Sequence, residues 1–430
     1  MKRFVSEKGQ VATCHYCGSD NASVAAQSLF DYIFERVKEN FATENDLSQF
    51  EYDMLYEGGA DDIAVASIDV VLSEWLNLGG DSYFDDLSAA VPSEFNTNER
   101  GYETYFYGDD GLLERNFYEK SWQDFVENIG HAHRFFNTTA REFLDSVFSL
   151  LVDEESVLRP ECLRQINCGE HIFRARSVDG YTKAKQLVAN PKEFGPAPRG
   201  KASNQRMTPS GISALYCASN RATCLSEIRS ITGDEVVSVA LTPTTGLILL
   251  DLTQLERLEP PKLTNLDVGY LKAMHLKTFL KSLVKKMSRP KSRTDDLSYL
   301  STQVVFEYLR LRFVADVDGI IVPSVQSGEI STNVVLFPES SVISSTFAPA
   351  VNARSDFLRE LKEEAAAGFE AGEKLAVVAG SFLFHKVIAI ETKAETYGNI
   401  RGVYSGEWEQ KHYGRAFARD IADVRESTEG

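Results

Sequence analysis

A chain of 430 residues, 43% hydrophobic and 25% charged, has room for two or three domains with cores of their own, and its longest apolar runs, such as Gly246 to Leu250, are too short to span a bilayer. Six cysteines in this length do not make a disulfide framework, and the N-terminus MKRFVSEKGQ lacks the apolar segment of a signal peptide, so a reducing cytoplasm is the expected home. The net charge of −18 belongs to the N-terminal third: residues 1–155 hold 31 Asp+Glu and 10 Lys+Arg, a net of −21, and the remainder is +3, which argues against bulk nucleic-acid binding by that third and suggests a boundary near residue 155.

Cys14-His15-Tyr16-Cys17-Gly18 is a CxxC followed by Gly, half of a four-ligand zinc knuckle. The residues ahead of it, Phe4 to Lys8, hold no further Cys, so bound zinc is not expected, and Cys14 and Cys17 are only weak metal candidates. Residues 21–155 read as mainly helical. Leu29, Tyr32, Ile33, Arg36 and Val37 follow helical spacing, as do Ile68, Val71, Leu72 and Trp75. Trp122, Phe125, Val126 and Ile129 begin another helix, and Phe143, Val147, Phe148 and Leu151 end the last. This pattern predicts a helical bundle.

From residue 170 the pattern turns to short strands. His171–Arg176, Val236–Leu241, Leu247–Leu252, Gly319–Val322, Val334–Phe337, Ala376–Val378 and Lys386–Ile390 read as strands. Residues 270–288 predict a basic amphipathic helix, with Leu276, Phe279, Leu280, Leu283 and Val284 inward and Lys277, Lys281, Lys285 and Lys286 outward. Ser301–Arg312 reads as a further helix, a charged helix is expected over about 355–370, and residues 401–430 read as a polar tail. No GxGxxG is present, so a Rossmann dehydrogenase is not supported.

The stretch Arg206 to Glu227 gathers unlike chemistry in a short span. An arginine opens it, the turn Thr208-Pro209-Ser210-Gly211 follows, and Tyr216 lies in an apolar run. Ser219 and Asn220 are helix caps ahead of Glu227. With Phe173-Arg174-Ala175-Arg176, Ser226-Glu227-Ile228-Arg229, Asp318-Gly319-Ile320-Ile321-Val322-Pro323-Ser324 and Asn333-Val334-Val335-Leu336-Phe337, it resembles the core of the RES family over roughly residues 160–395. The preceding chain resembles the HEPN-like domain found ahead of some RES domains. The resemblance implies an α+β protein: a helical N-terminal domain over 1–155, then an ADP-ribosyltransferase-like mixed α/β RES domain over 156–400. It also implies an NAD-consuming activity, with NAD+ as substrate, and a toxin-like protein restrained by an antitoxin or regulatory partner. A second copy of the chain is another candidate partner.

The chemistry agrees with the residue types. Cleaving the nicotinamide–ribose bond passes through an oxocarbenium-like state beside a pyrophosphate. Arg174 and Arg206 suit the pyrophosphate, because a guanidinium fork binds phosphate in bidentate fashion. Tyr216 offers an aromatic face for nicotinamide, and Glu227 a carboxylate near the developing cation. Ser324 can hydrogen-bond ribose or amide, with Asn333 in support. Arg176 shares Arg174's side of the strand. Taken singly, each of these residues is better read as a surface ion pair, a core aromatic, an exposed helix carboxylate or a turn cap, and only the set in family order favours the chemical reading. The same set also fits a module that binds NAD or ADP-ribose without turnover. A HEPN-type ribonuclease is disfavoured, because no suitably spaced Arg precedes His131 or His133.

Overall fold

The computed structural model describes residues 1–49, 51–52, 64–228, 230–288, 297, 299–324, 331–349, 369–370 and 372–389. They form two compact units. The first takes in Met1–Ser121 and Glu259–Phe279, the second Trp122–Leu258 and the described residues from Leu280 on. The expected helix at 355–370 lies almost wholly outside the described residues, as does the 401–430 tail.

This division does not fall at residue 155, where the charge shifts. Residues 122–155 pack with the second unit for a local reason. The helix Thr138–Val147 buries Leu144 and Val147, and the turn after it buries Phe148. Phe148 stacks on Tyr308 at 5.7 Å, and Asp145 accepts from the Tyr308 hydroxyl at 2.7 Å and from Arg312 at 2.8 Å. The charge step marks a change in surface composition, and apolar packing decides the units.

In the first unit, β1 (Gln10–Thr13) and β2 (Asp20–Ser23) form an antiparallel hairpin whose turn is the CxxC segment. Gly18 sits at φ 68, which a glycine adopts without steric cost. The helix Ala26–Asn40 buries Phe30, Ile33, Phe34 and Val37, as its spacing predicts. Ile68, Val71, Leu72, Leu87, Phe95 and Phe106 complete that core. The helical region also carries a small sheet, in the order β3 (Phe41–Thr43), β5 (Phe106–Gly108), β4 (Val65–Ala66). Strands of two or three residues leave no readable alternation, so the sequence does not announce them.

Glu259–Phe279 joins this unit through polar bonds as well as apolar ones. Asn40 donates to the Asn265 carbonyl at 2.7 Å, and the Tyr32 hydroxyl to that of Leu266 at 2.5 Å. The Asp109 carboxylate is fully buried and accepts from Arg115 Nε at 2.6 Å and His275 Nε2 at 3.0 Å. Its other oxygen accepts from the Gly111 amide at 2.8 Å. His275 Nδ1 accepts from the Phe117 amide at 3.2 Å, which fixes the ring's tautomer with its proton on Nε2. Burial alone would raise the Asp109 carboxyl; the hydrogen bonds from His275 and Arg115 and the Arg115 charge outweigh it and hold the group below its ordinary value.

The second unit is built on a nine-stranded mixed sheet. Its strands are β6 (Leu163–Ile166), β7 (Ile172–Val178), β8 (Leu215–Ala218), β9 (Glu235–Pro243), β10 (Leu247–Asp251), β11 (Gly319–Pro323), β12 (Thr332–Leu336), β13 (Leu375–Val377) and β14 (Leu383–Lys386). Their order is β13-β9-β7-β8-β12-β11-β10-β6, with β14 also on β9. Only β10 and β11 run parallel; the other pairs are antiparallel. The last strand comes earlier than the expected Lys386–Ile390, because Leu383–Lys386 is the part in register with Glu235–Ser238. One face is packed by Ile172, Leu215, Cys217, Val237, Val239, Leu241, Val334 and Leu336.

The Asp318–Ser324 stretch is positioned by its own ends. Asp318 accepts from the Ile248 amide at 3.0 Å, Ser340 at 2.8 Å and Lys374 at 2.9 Å. Gly319 lies so close to β12 that a Cβ would stand 2.4 Å from the Val335 carbonyl oxygen, which only glycine avoids. Ile320, Ile321 and Val322 are buried, and the strand then delivers Ser324.

Candidate functional site

Register decides which side chains meet. Ala218 stands opposite both Phe173 and Asn333, and Tyr216 opposite Val335. Alternation therefore puts Phe173, Ala175, Tyr216, Ala218 and Asn333 on one face of the sheet. The helix Arg221–Glu227 covers part of that face, packing Cys224, Leu225 and Ile228 on Ala175 and Ala218. Asn220 caps it, its side chain accepting from the Thr223 amide at 2.8 Å. The helix ends at Glu227.

There three candidates from separate segments come together. Glu227 Oε1 accepts from Ser324 Oγ at 2.7 Å and from Asn333 Nδ2 at 2.7 Å. Ser324 and Asn333 are buried. Two donors fix one carboxylate oxygen and leave Oε2 without a hydrogen bond among the described residues. Asn333 Oδ1 is buried and likewise unpartnered there. A fixed carboxylate and an adjacent open amide oxygen form a pre-arranged acceptor pair.

Tyr216 and Arg206 form a second group. The Tyr216 hydroxyl accepts from the Met207 amide at 3.1 Å and lies 3.3 Å from the Thr208 hydroxyl. Burial pushes the phenol up to about 12, although the bonds from Thr208 and Met207 and the charge of Arg206 pull it down. The hydroxyl is thus occupied by the loop, and Tyr216 is no general base near neutral pH. Arg206 Nε is buried without a partner among the described residues.

Arg174 and Arg176 stand on the alternate face. Register sets them opposite Val239 and Val237, beside the Cys217 side of β8. Strands β7 and β8 pair at Phe173 and Ala218 alone and part beyond it. The Tyr216 carbonyl, left out of the ladder, accepts from Arg174 Nη1 at 2.5 Å. The Gly195 carbonyl accepts from Arg174 at 3.2 Å and Arg176 at 2.6 Å. Both Nε atoms are buried and unpartnered among the described residues. Burial lowers both guanidinium pKa values, a cost that an anion beside them would offset. Burial also pushes Cys217 and Cys224 up to about 12, so neither is a ready thiolate.

Sequence reasoning missed a fourth cluster. Arg221 lies over the Phe173 ring at 5.1 Å and donates to Ser238 Oγ at 2.5 Å and the Ser381 carbonyl at 3.0 Å. Ser238 Oγ is 2.7 Å from His385 Nε2. These residues come from four separate segments, and no local pattern links them. In the hairpin, Cys17 Sγ is 3.1 Å from the Ser19 hydroxyl, whose bond lowers the Cys17 thiol. Among the described residues, no three His, Cys, Asp or Glu side chains are placed to hold a metal ion. No described helix is long and apolar enough to cross a membrane.

Comparison with known proteins adds family membership. The family model described as RES domain matches residues 172–352, and that described as HEPN/RES N-terminal domain 1 matches residues 7–143. No curated protein matches. Glu227, Ser324, Asn333, Tyr216, Arg206 and Arg174 all lie inside the first of these spans, and the chain is thus a RES-domain protein with an HEPN/RES N-terminal domain ahead of it.

Proposed function

We propose that the RES domain cleaves the nicotinamide–ribose bond of NAD+. The observation that carries this reading is Glu227, whose Oε1 is held by Ser324 and Asn333 while Oε2 has no hydrogen bond among the described residues. A carboxylate fixed in this way stabilises positive charge developing on a ribose without reorganising at the moment of reaction. Asn333 Oδ1 is open to a donor such as a ribose hydroxyl or the nicotinamide amide. Arg206 takes the pyrophosphate, joined by Arg174 where β7 and β8 part. A ligand that touches both faces of the sheet must enter at that seam. The ring of Tyr216 supplies a flat apolar contact.

Water, phosphate or a protein side chain can accept the ribosyl group. The test is incubation of the full chain with NAD+, with and without phosphate. Release of nicotinamide is expected, and the ribose-bearing product identifies the acceptor: free ADP-ribose, its phosphate, or a modified protein. Binding of NAD+ with no nicotinamide released would make the RES domain a sensor. The RES family's toxin-like members suggest an antitoxin or regulatory partner. The acidic residues 1–155 are the proposed restraint, held near the RES domain by the chain itself.

A further inference from the structure

Thr302 and Gln303 are buried polar residues on the helix Leu300–Phe313, about a hundred positions from the stretch that carries Arg206. Neither bonds to Glu227, Ser324 or Asn333 among the described residues. Gln303 Nε2 donates to Asn204 Oδ1 at 2.6 Å and to the Gln205 carbonyl at 2.7 Å. Both amide protons are thereby spent on the loop. Thr302 Oγ1 lies 2.6 Å from the Arg206 carbonyl and 2.8 Å from that of its own helix neighbour Tyr299. Its single proton is shared between the two acceptors.

The same loop is gripped from the sheet side. The Met207 amide donates to the Tyr216 hydroxyl, and the Gln205 amide closes on the Thr208 carbonyl at 2.9 Å. Residues 204–208 are therefore held between a strand and a helix by side chains that are otherwise buried. Buried polar groups are costly unless bonded, so these two residues would be replaced by apolar ones in a helix whose only task was packing. We infer that Thr302 and Gln303 are positioning residues that fix the backbone on either side of Arg206 and so aim its guanidinium at the bound anion. This rests on the NAD+ reading for the identity of the anion, though not for the clamp itself.

The test uses the full chain carrying Thr302→Val, Thr302→Ser, Gln303→Leu and Arg206→Ala. Amide hydrogen exchange, with no ligand present, is expected to speed up at Gln205 and Met207 in Thr302→Val and Gln303→Leu, and to stay as in the parent in Thr302→Ser. With NAD+, each of the two apolar variants is expected to weaken half-saturation about five- to tenfold, the scale of one lost hydrogen bond, with maximal rate within about twofold. In the Arg206→Ala background they are expected to add nothing further. Unchanged exchange at Gln205 and Met207 would overturn the clamp whatever the ligand. Faster exchange and an Arg206→Ala effect on NAD+, but full additivity in the double variants, would overturn the aiming of Arg206. If Arg206→Ala leaves NAD+ half-saturation untouched, the NAD+ role of Arg206 fails while the exchange result still decides the clamp.

Discussion

Asp109 in the first unit and the arginines 174, 176 and 206 in the second are all charged groups drawn out of water, and their surroundings differ in kind. Asp109 has a cation, an imidazole N–H and a backbone amide on its two oxygens. Its cation, Arg115, also reaches Asp46 at 3.4 Å. That network is closed in charge, each ion facing a counter-charge, although Arg115 Nη2 is buried without a hydrogen-bond partner among the described residues. The three arginines are tied to backbone carbonyls or to nothing, each keeps a buried Nε without a partner, and no carboxylate pairs with them among the described residues. A buried charge answered by its counter-charge helps hold a fold together, whereas buried guanidinium donors with no counter-charge can take up an anion. The two clusters differ in whether the buried charge has a counter-charge beside it.

Glu227→Gln is the largest test of the open side. The amide oxygen of glutamine still accepts from Ser324 and Asn333, so the local fold is kept and only the charge is lost. Turnover is expected to fall by roughly 10²–10⁴, with NAD+ affinity within a few-fold, as read by nicotinamide release and by titration calorimetry.

Asp109→Asn tests the closed side. Losing the charge opposite Arg115 is expected to cost roughly 3 kcal/mol of stability at neutral pH, measured by urea unfolding. Because the folded state holds the Asp109 carboxyl below its ordinary value, its contribution is complete above about pH 4 and fades as pH drops through the folded value. The gap between parent and Asp109→Asn should therefore narrow on acidification. Turnover of the folded variant should match the parent. A large loss of turnover would mean that the Asp109 network serves the chemistry.

Tyr216→Phe should give the smallest effect. Removing one hydroxyl from the Arg206 loop is expected to weaken NAD+ half-saturation a few-fold, about 1 kcal/mol. The phenol near 12 stays protonated through the alkaline range, and its stabilising contribution is intact below about pH 10 and lost as pH rises through 12. The parent's rate profile should thus show no limb near pH 10 that Tyr216→Phe removes.

Glu227, Ser324 and Asn333 were legible because each sits in a short motif with its own local geometry: a capped helix, a strand end after Pro323, and a strand start. Their union across 97 and 106 positions follows from the antiparallel register of β11 and β12 with β8. The sheet's long strands and the helices Ala26–Asn40 and Tyr270–Ser288 were legible from periodicity. Thr302 and Gln303 were not, because polar residues in a helix read as its solvent face until a loop is seen to cover them. The transfer of 259–279 to the first unit was also hidden, since its anchors, Asn40 and Asp109, lie more than 150 positions away. The face on which Arg174 lies was half legible. Alternation paired it with Arg176, but only the register with β8 shows Tyr216 and Asn333 on the other side.

If the open cluster around Glu227 is an NAD+-cleaving site and the closed cluster around Asp109 is scaffold, loss of charge at the two must act differently. Nicotinamide release from NAD+ should be followed side by side for the full chain, Glu227→Gln and Asp109→Asn, at matched folded concentration. Equal rates are expected for the parent and Asp109→Asn, and a rate at least about a hundredfold lower for Glu227→Gln. Equal release by the parent and Glu227→Gln, or no release by any of them, would contradict that expectation.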